Sequence, residues 1–389
     1  MRNNKLLMIP GPIEFDANVL NAMQQKTSSH VAPSFIETFG NCIDMVKKTW
    51  LAPKGQVFIV SGSGTLAMDM AASNLVEQGD NVLVISTGYF GERFENILQR
   101  YGAKTTILKA EIGNIVSLET IEKELQTKNY KLLTFTHVDT STGVMVDPKQ
   151  IAALAQKYNV LSILDGVCSV AGEEIQQENW GIDVVLTASQ KAVGVPPGLA
   201  LLVASEKAMN SFHNRKTLVS NYYADWTNWL PIMKAYEERR PSYFGTPPVN
   251  LIVALEVSLK NIISEGIDNR FSRHQKLANA FRSAIASLGL KTIATNNDIA
   301  ANTLSAIYYP EGIDGAAFCA LMSDNGVIVA GGLLPDLKTK YFRVGHMGST
   351  DEQDMIAVLS SIEYALNKLN YEFKLGTSIK KFQEFIYKS

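Results

Sequence analysis

Five groups of residues in this 389-residue chain have types and spacing that could do chemistry. The first is Lys191, in Thr187-Ala-Ser-Gln-Lys-Ala-Val-Gly-Val-Pro-Pro-Gly198, between an apolar strand pattern and a Gly/Pro loop. It is either a solvated amine or a reactive one. The second is Asp165, closing the apolar run Val160-Leu-Ser-Ile-Leu-Asp165; a carboxylate at the end of a buried strand needs a cationic partner. Its bland readings are a cap or a metal ligand, and no second acid stands beside it to build a metal site. The third is Ser61-Gly-Ser-Gly-Thr65, between a strand and a helix pattern. Glycines let backbone N–H groups turn to an anion, and a helix N-terminus adds favourable partial charge, so this loop reads as a phosphate cup or as a plain Gly-rich turn. It is neither a dinucleotide GxGxxG nor a P-loop. The fourth is His137-Val-Asp-Thr-Ser-Thr-Gly143, a polar loop suited to the edge of a flat ligand or equally an ST-rich turn. The fifth is Arg343, whose planar fork suits a carboxylate. Its alternative is an interdomain ion pair.

These residues must be positioned by elements, and the pattern supplies them. Short apolar strands are predicted over 57–60, 81–86, 104–108, 132–138, 160–164, 183–187 and 199–204. Helical spacing falls between them over 66–76, 92–101, 117–126 (with Ser117 as N-cap) and 148–158. Alternation of this kind predicts an α/β fold, a mostly parallel seven-stranded sheet sandwiched by helices. Such sheets bind ligands at the carboxyl ends of the strands, where the first four groups lie. The segment 205–265 is mixed and aromatic-rich, with a helix expected over 249–264. Helix and strand patterns then restart over 274–288, 303–308, 316–325, 327–330, 341–345 and 352–369, predicting a smaller C-terminal α+β domain. The expected division is an arm over 1–12, a large domain over 13–262 and a small domain over 263–389.

Composition bounds the partners. A net charge of −2 gives no electrostatic case for nucleic acid or an anionic membrane, and no apolar run is long enough for a bilayer. The three cysteines show no metal spacing and no disulfide framework, which fits a reducing compartment. The start, MRNNKLLMIPGP, has too short an apolar stretch for a secretory signal, and the end, FIYKS, is not a peroxisomal Ser-Lys-Leu, so a cytoplasmic location is the expectation.

Taken together, a phosphate cup, a buried aspartate, a polar loop and a strand-end lysine are the parts needed to hold pyridoxal 5′-phosphate. The lysine takes the aldehyde covalently, the aspartate pairs with the ring nitrogen and the cup holds the phosphate. The segments SGSGT, TGYFGERF, HVDTSTGV, LDGVCS, TASQKAVGVPPG, SYFGTPPVNL and YFRVGHMG resemble the class V, fold-type I pyridoxal-phosphate aminotransferases. Within that family the likeness is to the alanine–glyoxylate and serine–pyruvate enzymes, most of all the fungal alanine–glyoxylate type, and it covers nearly the whole chain.

The resemblance implies roles residue by residue. Lys191 is the attachment lysine and, once freed, the general base. Gln190 contacts the cofactor, and Asp165 pairs with the ring nitrogen. Val167 packs on one ring face and Phe90 on the other, where the animal enzymes carry tryptophan. Ser63, Gly64 and Thr65 form the cup, with Thr65 in place of the animal enzymes' histidine. The Ser141 hydroxyl lies near the ring oxygen and substrate. Tyr243 and Thr246 reach the phosphate of the neighbouring subunit, so a homodimer with shared active sites follows. Arg343 grips the substrate carboxylate, and the backbone at Gly11 closes the substrate pocket. The activity implied is ping-pong transfer of the amino group of L-alanine to glyoxylate. Serine–pyruvate, serine–glyoxylate and ureidoglycine–glyoxylate transamination are the alternatives. A desulfurase, which needs a catalytic cysteine on a mobile loop, is disfavoured, because Cys168 adjoins the cofactor aspartate and Cys319 lies in an apolar helical run.

Overall fold

A computed structural model describes residues 5–388. The first four residues of the arm predicted over 1–12, and Ser389 at the end of FIYKS and of the span 263–389, lie outside the described residues.

The central sheet has seven strands, in the spatial order Gln56–Gly62, Gly198–Ala204, Val184–Ala188, Leu161–Asp165, Leu132–Thr136, Asn81–Ser86 and Lys104–Lys109. Six run in one direction, and Gly198–Ala204 alone runs against both its neighbours. Among the five inner strands, Leu132–Thr136, Leu161–Asp165 and Val184–Ala188 are buried at every position and mostly apolar, because helices cover both faces. The register then does the positioning. Thr136 lies opposite Asp165, so two of the functional strands end level. The reversed strand places Gly198 opposite Gly62 and Ala200 opposite Ala188. The cup after Gly62 and the lysine turn after Ala188 therefore flank the same strand end.

Several predicted boundaries move for local reasons. The helix expected over 92–101 spans Tyr89–Arg100, because Gly88 opens it, and this brings Phe90 into its first turn. The strand expected over 132–138 stops at Thr136; Val138–Asp139 turns away to pair with Val144–Met145. The helix expected over 274–288 begins at Ile267, directly after Gly266 at φ +84°. Ser117 is the N-cap expected of it, accepting the Thr120 N–H at 3.1 Å. The helices Pro33–Thr49, Trp226–Glu237 and Thr377–Lys388 have no counterpart in the sequence reading.

Buried apolar side chains form two main clusters. The larger gathers around the seven-stranded sheet. The second lies among the helices Ile267–Ser287, Gly315–Asp324, Glu352–Lys368 and Thr377–Lys388 and a three-stranded antiparallel sheet. That sheet has Tyr341–Gly345 at its centre, between Leu304–Tyr308 and Ala330–Gly331. The N-terminal segment ties the two together. Leu6 and Leu7 pair in parallel with Val327 and Ile328, Met8 accepts the Gly345 N–H at 2.9 Å, and Ile13 donates to the Gln190 carbonyl at 3.3 Å.

Candidate active site

Lys191 is placed by a turn closed on itself. The Ser189 hydroxyl donates to the Pro196 carbonyl at 2.9 Å and accepts the Leu199 N–H at 3.2 Å, while Gly194 donates to the Lys191 carbonyl at 2.8 Å. The lysine side chain is buried, 9% exposed, and its Nζ donates to the Pro10 carbonyl. Burial pushes the amine below its ordinary range; nearby Arg343 acts in the same direction and Asp165 against it. The Cys168 thiol beside it is itself pushed up by burial, so near neutral pH it is protonated and carries no charge to hold the ammonium. The solvated reading of Lys191 fails: the amine is enclosed and biased toward its nucleophilic, basic form.

Gly11 roofs that amine. Its φ is +112°, and a Cβ added there would lie 2.6 Å from Nζ and 2.5 Å from Cδ of Lys191. A lysine tip yields easily, so the displacement falls on the reacting atom rather than on the fold. Gly11→Ala is expected to lose kcat by roughly a hundredfold through displacement of the amine. The strained φ adds a destabilisation of about 1–3 kcal/mol. Turnover measured beside a thermal melt checks this, and full activity in the variant would remove Gly11 from the site.

Asp165 ends its strand with 2% exposure, and among the described residues no cation pairs with it. Val167 donates to Oδ1 at 3.1 Å and Thr136 to Oδ2 at 3.5 Å. Burial pushes its carboxyl up to about 7; the Val167 N–H opposes this, and a second buried acid, Asp139, reinforces it. A carboxylate in that condition is stabilised by any cation brought against it.

The cup is built at the N-terminus of the helix Gly64–Leu75. Ser63 is the N-cap but its hydroxyl makes no capping bond, and the first turn carries no acid. A Cβ on Gly64 would meet Val167 Cγ2 at 2.7 Å, so the cup and the residue after Asp165 pack directly together. Gln190 presents a buried amide oxygen with no partner among the described residues. Such a group costs about 1–3 kcal/mol until something bonds it.

Asp139 was not singled out by sequence reasoning, although it lies inside the quoted HVDTSTG. It is fully buried and accepts the Phe90 N–H at 2.9 Å, the Ser141 N–H at 2.9 Å and the Ser141 hydroxyl at 2.5 Å. Burial raises its carboxyl, and these donors hold it back. It latches the Phe90 loop to the polar loop. The Ser141 hydroxyl is spent on that latch, since it also accepts the Tyr89 N–H at 3.0 Å. The expectation that Ser141 turns its hydroxyl to a ring oxygen therefore meets a side chain already donating to Asp139. Its neighbour Thr140 is the freer hydroxyl: it is buried and close to the Cys168 thiol, and its carbonyl accepts Arg343 Nη1 at 3.2 Å.

Arg343 lies in the central strand of the small sheet, half-buried. Nε donates to the Gly331 carbonyl at 2.9 Å, and among the described residues no carboxylate pairs with it. The interdomain ion pair does not form. Tyr243 and Thr246 are not brought to the cup of their own chain. Tyr243 is 63% exposed with its ring against His30, 5.3 Å between centroids, and Thr246 is exposed. Cys168 lies in the turn after Asp165 but is buried, and Cys319 is on a helix with its thiol 3.3 Å from the Tyr309 hydroxyl, so neither is presented on an exposed loop. A separate cleft of about 730 Å³ lies at His137, Glu173, Asp268 and Asn302. Its acidic lining has the wrong sign for an anionic substrate, and it holds none of the predicted site residues.

A lysine near a buried aspartate at the carboxyl ends of a mostly parallel sheet, with a helix-end cup alongside, defines a fold-type I pyridoxal-phosphate enzyme. Residues 14–334 match the family model for class-V aminotransferases, and the chain belongs to that family. It is similar to alanine–glyoxylate aminotransferase 1 of Saccharomyces cerevisiae, 37% identical over 88% of this chain and 92% of that one. Among solved structures it superposes on an alanine–glyoxylate aminotransferase from Nostoc with a TM-score of 0.88 at 31% identity, covering 94% of this chain and 96% of that one. The ureidoglycine–glyoxylate aminotransferase of Bacillus subtilis shares the fold, with a TM-score of 0.92 at 24% identity over 99% of both chains. The protein is a pyridoxal-phosphate-dependent aminotransferase. Its residues fit the cofactor: an uncapped helix end for the phosphate, a buried acid lacking a cation for the ring nitrogen, an orphaned Gln190 amide and an enclosed amine.

Proposed function

We propose that the chain transfers the amino group of L-alanine to glyoxylate, giving pyruvate and glycine in two half-reactions. The observation that carries a 2-amino acid substrate is Arg343. A half-buried guanidinium whose bonds among the described residues go to two carbonyls, near a basic lysine, is a receptor for one carboxylate. The yeast and Nostoc relatives support alanine and glyoxylate as the particular pair. Bound, the cofactor supplies an electron sink for the charge left at the substrate Cα.

The chain's residues supply the rest. Lys191 Nζ, biased toward its neutral form by burial, moves the Cα proton. Asp165 carries the negative charge that holds a proton on the ring nitrogen. Ser63, Gly64 and Thr65 seat the phosphate, and Phe90 and Val167 flank the ring. Gln190 meets its polar edge, joined there by Thr140, while Ser141 holds the loop through Asp139. Gly11 and Pro10 cover the amine and exclude water. Tyr243 and Thr246 serve the phosphate of a second subunit. Their exposure supports this, as does the exposure of Leu218 and Tyr222 on the same stretch, and the active form is then a homodimer.

The deciding experiment is a donor scan: alanine, serine, aspartate and other amino acids, each with glyoxylate and with pyruvate as acceptor. Alanine with glyoxylate is expected to give the highest kcat/KM; a higher value for serine transfers the assignment to serine. Arg343→Lys keeps charge but loses the fork, so KM for both donor and acceptor is expected to rise about tenfold or more with kcat less changed. Unaltered KM values in that variant would place the substrate carboxylate elsewhere.

A further inference from the structure

Arg93 sits on the second turn of the helix Tyr89–Arg100, against the cup. Its guanidinium carbon lies 5.0 Å from the Tyr89 ring centroid and 4.9 Å from that of Phe90. Nη1 donates to Thr65 Oγ1 at 3.5 Å and Nη2 to the Tyr89 hydroxyl at 3.4 Å. Both bonds are long, so most of the fork's donor capacity is unspent. No carboxylate among the described residues pairs with it: the adjacent Glu92 is taken by Lys109, and Glu95 by Gln99 and Thr105.

The cup lacks a formal charge. Ser63, Gly64 and Thr65 offer hydroxyl and N–H donors, and the helix end contributes roughly half an elementary charge. A phosphate monoester near neutral pH carries about −1.5 to −2. Lys191 is turned away onto the Pro10 carbonyl. Arg93 is the one cation whose hydrogen bond reaches a cup residue among the described residues. Its two aromatic neighbours fix the plane of the fork while leaving its donor edge at Thr65.

We propose that Arg93 is the cation of the phosphate cup, binding the phosphate of pyridoxal phosphate at the Thr65 edge. This rests on the assignment of the Ser63–Thr65 loop to that phosphate. It adds a charged ligand from a helix other than the one that forms the cup, and it couples phosphate binding to the position of Phe90.

The test compares pyridoxal phosphate with pyridoxal, which lacks the phosphate, as ligands of the apoprotein. Affinities are read from absorbance and quenching of protein fluorescence, without turnover. In Arg93→Met the dissociation constant for pyridoxal phosphate is expected to rise roughly ten- to hundredfold, with that for pyridoxal unchanged. Arg93→Lys, which keeps the charge, is expected to recover the larger part and serves if the methionine variant folds poorly. Equal weakening for both ligands would mean that Arg93 acts only through the rings, and overturns the proposal. Unchanged affinity for pyridoxal phosphate with a raised KM for dicarboxylic amino acids would assign Arg93 to a substrate's distal carboxylate, and also overturns it. An unaltered protein that binds no pyridoxal phosphate would sink the cofactor reading itself, an outcome distinct from both.

Discussion

Lys191→Ala is expected to lower the rate of the alanine half-reaction by roughly 10⁴-fold, the upper range for loss of a positioned general base. The size of the effect follows from the enclosure of the amine. Nζ is covered by Gly11 and bonded to Pro10, so a hole left by alanine is not easily reached by another base. His137, the histidine of the neighbouring strand end, is fully buried and pushed down to about 3 by that burial; it lines the separate acidic cleft. Arg343 is a cation and takes no proton. Binding should behave differently from rate. The contacts expected from the cup, Asp165 and Phe90 do not involve Lys191, so the variant is expected to retain pyridoxal phosphate non-covalently, with the absorbance of the free aldehyde. Added methylamine or ethylamine, small enough for the hole, should restore part of the rate, since they resupply the missing base. Single-turnover measurements with alanine, with and without the added amine, check both points. Turnover within tenfold of the unaltered enzyme without added amine would remove Lys191 from the chemistry.

How much of this was legible in the sequence depended on how far a residue's role could be read from its own strand. Asp165 and Lys191 follow apolar runs, and an apolar run ending in a charge is a local signal that survives without coordinates. The cup is local too, a Gly-rich turn opening a helix. Asp139 carried no such signal. Its importance lies in three donors converging from two segments about fifty positions apart, which the pairing of Asn81–Ser86 with Leu132–Thr136 brings together. The same distance hid the commitment of Ser141. In HVDTSTG three hydroxyls compete for one role, and the residue that faces inward is settled by the Val138–Asp139 turn pairing with Val144–Met145, which the strand expected over 132–138 obscured. Arg93 was masked in another way. Within TGYFGERF it follows Glu92 and looks like one more helix-surface charge, until the earlier start of the helix at Tyr89 turns it over the two rings and toward Thr65. The reversed strand at Gly198–Ala204 was equally unreadable, because a buried strand is apolar whichever way it runs.

Asp165→Asn separates the electrostatic role of the aspartate from its place in the core. In the apoprotein the carboxyl titrates at about 7 because burial penalises its charge, whereas in an unfolded chain it titrates near ~3.9. The folded form therefore holds the proton more tightly. The stability this group contributes is fully present below ~pH 3.9 and is lost as pH rises through about 7. Asparagine has nearly the same shape and does not titrate. The apo variant should match the unaltered protein at low pH and exceed it by ~3–4 kcal/mol at pH 8, the gap opening between ~pH 4 and 7. His274 and His346 are pushed low by burial, as His137 is, and destabilise the fold as pH falls. They act in both proteins and cancel in the difference. Urea unfolding of the two apoproteins at several pH values measures the gap, and a gap independent of pH would mean that Asp165 is charged throughout, with an unrecognised cation beside it. Cofactor reverses the sign. With a protonated ring nitrogen against it, the carboxylate becomes half of a buried ion pair, and removing one partner of such a pair costs about 3–5 kcal/mol. The variant should then be the less stabilised by added pyridoxal phosphate and should lose kcat by roughly 10²- to 10³-fold, since that charge is what holds the proton on the nitrogen. One substitution that stabilises the empty protein and cripples the loaded one is the signature of a charge buried for function and not for folding.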